Sequence, residues 1–242
     1  MSRGASLSMI QGGIIAAGQG TRLRADGYRG SKPMVPVSGR PLIEHTLDRF
    51  RIAGVRQLTM IINETSDDCR HWLRDHATDF ELDLIVRTTE SSYASFQAVA
   101  TRLAGAPAVI TTIDSVMPVG DFCAFVQSAV RLAPDAVALG LTDHVDDENP
   151  LWATLDAAGK IRQLGAGHGT HVTAGLYWLP GQRPPEPPGG FARLRDYLGW
   201  LVAEHPPVRG IVLPRVFDID RACDIAAAEA EPAIHRALSE DA

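Results

Sequence analysis

The sequence predicts an α/β protein: a mostly parallel sheet with helices on both faces and a small antiparallel β extension. Three observations predict it. Short apolar runs of strand length alternate with amphipathic segments of helix length from residue 11 to residue 141. After Asp143 that alternation gives way to three closely spaced strand-like runs. The chain has 242 residues, of which 45% are hydrophobic and 21% charged, enough to bury a core without disulfides or a structural metal.

The elements follow in order. Residues 11–17 form a strand of small apolar residues that ends at Gly18. Residues 41–53 read as a helix, with Ile43, Leu47 and Phe50 on one face and Pro41 suited to the first turn. Residues 58–62 are a buried strand, and Ser66, followed by Asp67 and Asp68, is the expected cap of a helix running to Ala77. A strand at 82–86, a helix at 93–103, a strand at 108–113, a helix at 122–132 and a strand at 136–141 continue the pattern. Strands at 151–155, 161–164 and 172–179 make the antiparallel part, the first two joined by a turn at Ala157, Ala158, Gly159 and Lys160. Residues 180–190 hold five of the 16 prolines and form a surface connection. An amphipathic helix at 191–202 buries Phe191, Leu194, Leu198 and Leu201; a short strand at 209–213 and a closing helix at 221–238 complete the chain. Residues 1–242 read as one domain without internal repeats, with 1–8 a loose leader and 144–190 the β extension and Pro-rich loop.

Composition narrows the function. A formal net charge of -6 argues against a general binder of nucleic acid or anionic membrane. No run approaches the ~18 apolar residues of a membrane span, and no apolar stretch with a cleavage-type site marks a signal peptide. The 3 cysteines, Cys69, Cys123 and Cys223, lie far apart, which fits a reduced, cytoplasmic compartment and gives no zinc spacing. Homo-oligomerisation stays open.

The most informative stretch is Ala16, Ala17, Gly18, Gln19, Gly20, Thr21, Arg22 at the end of the first strand. Two glycines one residue apart let a backbone approach a ligand and turn N–H groups toward phosphate oxygens. A P-loop would need Lys and Ser/Thr where Gln19 and Gly20 stand, and a dinucleotide fingerprint would need a small residue where Leu23 stands. A tight turn with no ligand is the plain alternative. Arg22 and Lys32 weigh against it. Only two of the 23 basic residues are lysines, so Lys32, between Ser31 and Pro33, is no generic solubilising charge. Pro33 is expected to hold Lys32 extended, with its side chain toward the glycine turn. A guanidinium fork and a compact ammonium together suit a polyphosphate.

The run Ile14–Leu23, then Lys32-Pro33-Met34-Val35-Pro36-Val37, then Gly39-Arg40-Pro41-Leu42-Ile43 resembles the opening of the NTP-transferase family. That family includes sugar-1-phosphate nucleotidylyltransferases, phosphocholine cytidylyltransferases and molybdenum-cofactor guanylyltransferases. The resemblance implies a Rossmann-like fold and an Mg²⁺-dependent transfer of NMP from a nucleoside triphosphate to a small phosphorylated acceptor, with a sugar 1-phosphate first among the acceptors. It implies that Ala16, Ala17, Gly18, Gly20 and Thr21 hold the nucleotide, and that Arg22 and Lys32 bind phosphates and act in catalysis. Asp114, at the end of the strand 108–113, stands where open α/β sheets bind ligands; a turn or capping role is its alternative, and the resemblance makes it a metal ligand. Asp218, in Phe217-Asp218-Ile219-Asp220, matches the second metal ligand. Asp220 is expected to turn away from Asp218, as the cap of the closing helix.

The resemblance also has gaps. Thr89 and Ala94 fall in the segment that recognises the base, but the usual glycine is missing there. The acceptor-phosphate lysine is absent from the stretch before Ala174-Gly175, leaving Gly175, His168 and His171 as the acceptor candidates, in a pocket between 165–175 and the helix from Tyr93. Two other readings follow: a cytidylyltransferase for a phospho-alcohol, with Trp152, Tyr177 or Trp178 against an ammonium, and an inactive nucleotide-binding module.

Overall fold

The computed structural model describes residues 10–145, 149–165, 167–184, 187, 189–205, 207–232 and 234. The expected leader at 1–8 lies outside them, as do parts of the 144–190 stretch. The first half of the chain runs β1 (Gln11–Ala16), α1 (Thr21–Ala25), a 3-10 turn (Lys32–Met34), β2 (Pro36–Val37), β3 (Arg40–Pro41) and α2 (Leu42–Ile52). It continues through β4 (Gln57–Ile62), α3 (Asp67–His76), β5 (Glu81–Val86), α4 (Ser92–Arg102), β6 (Ala108–Thr112), β7 (Ser115–Val116) and α5 (Val119–Val130). The second half runs β8 (Val137–Thr142), β9 (Trp152–Leu155), β10 (Ile161–Gly165), β11 (His171–Leu179), α6 (Leu194–Glu204), β12 (Val208–Leu213), β13 (Phe217–Asp218) and α7 (Ala222–Glu229).

The main sheet has the order β10-β9-β11-β6-β1-β4-β5, with β8 on the other side of β11 and β12 outside it. β1, β4, β5 and β6 are mutually parallel, as βαβ crossovers require. Side chains alternate across β1, so Ile14 joins the core under α2 and α5, and Ile15 joins the core under α4 and α6. The paired glycines before them let those helices close in. A Cβ on Gly12 would lie 2.7 Å from the Phe50 ring of α2, and one on Gly13 would lie 2.8 Å from Val99 of α4.

β11 enters antiparallel and divides its partners. Leu176 to Leu179 pair with β6, while His171 and Val172 pair with β9, and β8 follows the opposite edge with a register shift between Thr173 and Tyr177. Gly175 sits in that shift at φ 63. The antiparallel extension is therefore a fork of the main sheet rather than an appendix to it.

Three local expectations are corrected. Lys32 is not extended: it starts the 3-10 turn, closed by Met34 N–H to Ser31 O (2.9 Å) and Val35 N–H to Lys32 O (3.1 Å), and the extended residue is Ser31. Ser66 occupies the cap position of α3 without a side-chain capping bond. The closing helix breaks after Glu229 instead of running unbroken toward residue 238, and the described residues Pro232 and Ile234 are helical again. Proline chemistry explains the stop: Pro232 has no N–H to give, and its ring disfavours helical backbone at Glu231. Residues 235–238 lie outside the described residues.

Candidate active site

The carboxyl ends of β1 and β6 lie side by side, and the site is built on the turns that leave them. After β1 the chain passes through Ala17, Gly18 and Gly20 into α1; Gly20 takes the left-handed conformation (φ 59, ψ 39), which a glycine adopts without penalty. Asn63, just past β4, donates from Nδ2 to Ala17 O (3.2 Å) and fixes the start of this turn. Gly18 faces open space, so its backbone is accessible to a ligand.

After β6, Asp114 sits in a tight turn into β7. β7 pairs with β13, Asp218 opposite Ser115, and Ile219 N–H donates to Asp114 O (3.0 Å). That two-residue ribbon brings the distant Asp218 to Asp114. From below, the buried guanidinium of Arg49 on α2 donates to Ser115 O (2.7 Å) and Thr46 Oγ1 (2.9 Å). Burial pushes Arg49 down to about 10, which leaves it charged at neutral pH.

Carboxylate oxygens of Asp114, Asp218 and Asp220 all come within 4.8 Å of one another. Lys32 Nζ reaches into the group, 2.6 Å from Asp114 Oδ2 and 2.5 Å from Asp220 Oδ1. Arg22 Nη1 donates to Asp220 Oδ2 at 2.7 Å. Burial alone would lower the Lys32 ammonium, but Asp114, Asp220 and Asp218 outweigh it and hold the ammonium above its ordinary value. Burial would likewise raise Asp114, and Lys32 reverses this, holding the carboxyl below its ordinary value. The placement of Asp220 corrects the expectation for it. It shares the site with Asp218 because the two stand two residues apart in an extended segment, where such side chains lie on one face, with buried Ile219 between them on the other. The cap position of α7 belongs to Arg221.

A cleft opens beside the cluster, with Asp114 and Asp218 on one side and Gly175 on another. Hydroxyls of Thr112, Ser115, Thr142 and Thr173 line it, together with His144, Tyr177 and Phe217. Among the described residues lining it there is no lysine or arginine. The rings of His144 and Phe217 lie 4.7 Å apart. Burial, with Asp114 and Asp218 adding, pushes the Tyr177 phenol upward, so it stays a donor. This cleft is not the one expected: the Tyr93 helix does not line it, and neither does His168 or His171. His168 is exposed, and His171 Nδ1 pairs with Thr170 Oγ1 at 2.8 Å. Trp178 packs in the core. Thr89 Oγ1 lies 2.6 Å from Ser95 Oγ, and the Ala94 N–H is taken by the Ser91 cap (3.1 Å). The sequence expectations leave His144, Asp220 and Arg49 out of the site; strand alternation could have found Asp220, and the lysine missing before Ala174-Gly175 hints that another group is needed there.

Residues 12–176 match the MobA-like NTP transferase domain, more than half of the chain. The chain belongs to that family. The MobA-like NTP transferases are nucleotidyltransferases, and the curated relatives are too. CMP-5'-(3-aminopropyl)phosphonate synthase of Streptomyces rubellomurinus is 26% identical over 190 residues, which cover 69% of this chain and 27% of that protein. The chain thus spans about a quarter or less of the first curated relatives it matches. Two solved structures share the fold. The inositol-1-phosphate CTP transferase of T. maritima has a TM-score of 0.76 at 16% identity, covering 97% of this chain and 96% of its own. A putative glucose-1-phosphate thymidylyltransferase of Bacillus anthracis has a TM-score of 0.78 at 14% identity, covering 93% and 99%. No helix among the described residues is long and apolar enough to cross a membrane.

Proposed function

We propose that this chain works as a single catalytic domain that transfers an NMP unit from a nucleoside triphosphate to a small phosphorylated acceptor, releasing pyrophosphate. The observation that carries this reading is the convergence of Lys32, Arg22, Asp114 and Asp218 at the mouth of the β1 glycine turn. A phosphoryl-transfer site needs charge neutralisation around a positioned polyphosphate, and these groups supply it.

The acceptor's phosphate oxygen attacks the α-phosphorus, a new O–P bond forms, the bond to the β-phosphate oxygen breaks, and pyrophosphate carries the electron pair away. The acceptor is already an oxyanion, so no general base is required. Amides of Gly18 and Gly20 and the cation of Arg22 bind the triphosphate; Lys32, held by Asp114, stands beside the α-phosphate. The donor set fits a divalent cation: hard carboxylate oxygens, close enough for one ion after small rotations. Asp114 and Asp218 would hold Mg²⁺ there, where it neutralises and aligns phosphate oxygens.

The hydroxyl-lined cleft at Gly175 supports a sugar 1-phosphate as acceptor. A phospho-alcohol or phosphonate is the second reading, favoured by the absence of lysine and arginine from the described lining and by the Streptomyces relative's CMP-phosphonate product. A pyrophosphate-release screen tests both: the common NTPs against sugar 1-phosphates, phospho-alcohols and aminoalkylphosphonates, with Mg²⁺ or EDTA. Release without dependence on any phosphorylated or phosphonate acceptor sinks the proposal, and no release with any pair leaves the inactive nucleotide-binding module.

A further inference from the structure

We propose that Arg49 is a positioning residue for the acidic cluster: from α2 its guanidinium clamps the Ser115 carbonyl, fixes the turn that carries Asp114, and through the β7–β13 ribbon sets the distance from Asp114 to Asp218. This rests on the nucleotidyltransferase reading of the site. Arg49 is 2% exposed and points its fork at two acceptors, Nη1 at Ser115 O (2.7 Å) and Nη2 at Thr46 Oγ1 (2.9 Å). Thr46 is fixed in turn, since its hydroxyl donates to Leu42 O one helical turn back (2.9 Å). The Phe122 ring centroid lies 5.9 Å from the guanidinium carbon. The clamp therefore joins a rigid part of α2 to the first residue of β7, which pairs with Asp218. Ile219 N–H holds the preceding carbonyl, Asp114 O (3.0 Å). Two consecutive carbonyls are thus pinned by two separate elements, and the positions of Asp114 and Asp218 follow from that pair of bonds.

Folding alone does not account for Arg49. Among the described residues no carboxylate offsets the burial of its charge, and Nε meets no acceptor. A buried cation so placed costs stability, and an apolar side chain of similar volume would not. What the guanidinium supplies is a stiff support for carboxylates that have to hold one spacing, and such supports tune a cation site without touching the ion. The fork matters as well as the charge. An ammonium at this position could reach the Ser115 carbonyl but would lack the planar pair of donors that ties it to Thr46.

Mn²⁺ alone is the probe, followed by the paramagnetic resonance of the free ion, for the unsubstituted chain, R49M and R49K. Tm in EDTA and the Mg²⁺ dependence of pyrophosphate release are measured beside it. R49M is expected to melt no lower than the unsubstituted chain and to bind Mn²⁺ roughly 10–100-fold more weakly. The Mg²⁺ concentration for half-maximal release should rise by a similar factor, and excess Mg²⁺ should recover most of the rate. R49K should fall between the two. Unchanged or tighter Mn²⁺ binding in R49M overturns the inference; tighter binding is what removal of a positive charge alone would bring. A lower Tm together with a rate that excess Mg²⁺ does not recover makes Arg49 an ordinary structural contact and also overturns it. If R49M melts too early to assay, R49K decides: weaker Mn²⁺ binding at an unchanged Tm supports the inference, and unchanged binding overturns it. Mn²⁺ binding and pyrophosphate release that R49M matches in full remove this inference alone. An unsubstituted chain that neither binds Mn²⁺ nor releases pyrophosphate removes the nucleotidyltransferase reading together with it.

Discussion

Gly175→Ala is the sharpest structural test of the cleft. At φ 63 the residue lies in the left-handed region, where an L side chain costs ~1–2 kcal/mol. An added Cβ would also fall 2.0 Å from Ser115 Oγ and 2.4 Å from Thr112 Oγ1, two hydroxyls that already share a 2.8 Å hydrogen bond. Overpacking of that kind costs ~1–3 kcal/mol, for a total of about 2–5 kcal/mol. For a domain of this size each kcal/mol lowers Tm by about 2–4 °C, so a fall of about 4–20 °C is expected. Thermal melting followed by circular dichroism measures it, with two controls. Gly54→Ala, at φ 78 in open space, carries only the conformational cost, and Gly18→Ala, open and without a positive φ, carries neither. The ranking should be Gly175, Gly54, Gly18. Ser115→Ala added to Gly175→Ala should restore part of the loss. A Gly175→Ala protein melting no lower than Gly54→Ala would refute the contact argument.

Three further outcomes are expected. Arg22→Ala should lower kcat/KM by ~10²-fold in the pyrophosphate-release assay with little change in Tm, because it removes a preorganised cation at an exposed position. Asp114 is held below its ordinary value by Lys32, so its contribution to stability is present above the unfolded value of ~3.9 and fades as pH falls through the folded one. In Lys32→Met the burial effect, the largest on Asp114, is opposed only by hydrogen bonds from the Thr112 hydroxyl and the backbone, so acidification toward pH ~4 should stabilise that variant; urea unfolding between pH ~3 and ~7 gives the sign. His144→Ala should raise acceptor KM several-fold, while the His168→Ala/His171→Ala double variant leaves it unchanged, since only His144 lines the cleft.

The layered sheet is readable because its strands are buried on both faces and so appear as apolar runs such as Leu58–Ile62. Lys32 stands out by its rarity and Asp114 by its position at a strand end, while Asp218 is reached only through the family resemblance. Asp220 is in fact legible: residues two apart in an extended segment share a face, so period-2 alternation puts it beside Asp218, and reading it as a helix cap overlooks this. Arg49 is invisible because a buried arginine in a helix that also carries a more exposed one, Arg51, bears no local mark; its role depends on a carbonyl 66 positions away. The fork at β11 is equally hidden, since a single glycine in a strand signals a bulge without naming the neighbours it serves.

The ribbon of β7 and β13 has a consequence during synthesis. The parallel strands β1, β4, β5 and β6, the glycine turn, Lys32 and Asp114 are all encoded before residue 115, and the sheet that seats them can begin to form while the rest of the chain is still being made. Asp218 arrives about a hundred residues later, roughly 5–20 s at ordinary elongation rates. Until it pairs with Ser115, the nascent chain holds half of a charge-compensated site, with Lys32 answered by Asp114 alone. A ribosome-bound chain exposing everything up to α6 is therefore a natural intermediate in which the glycine turn and Lys32 precede the complete acidic cluster, and the order of translation becomes the order in which the site acquires its parts.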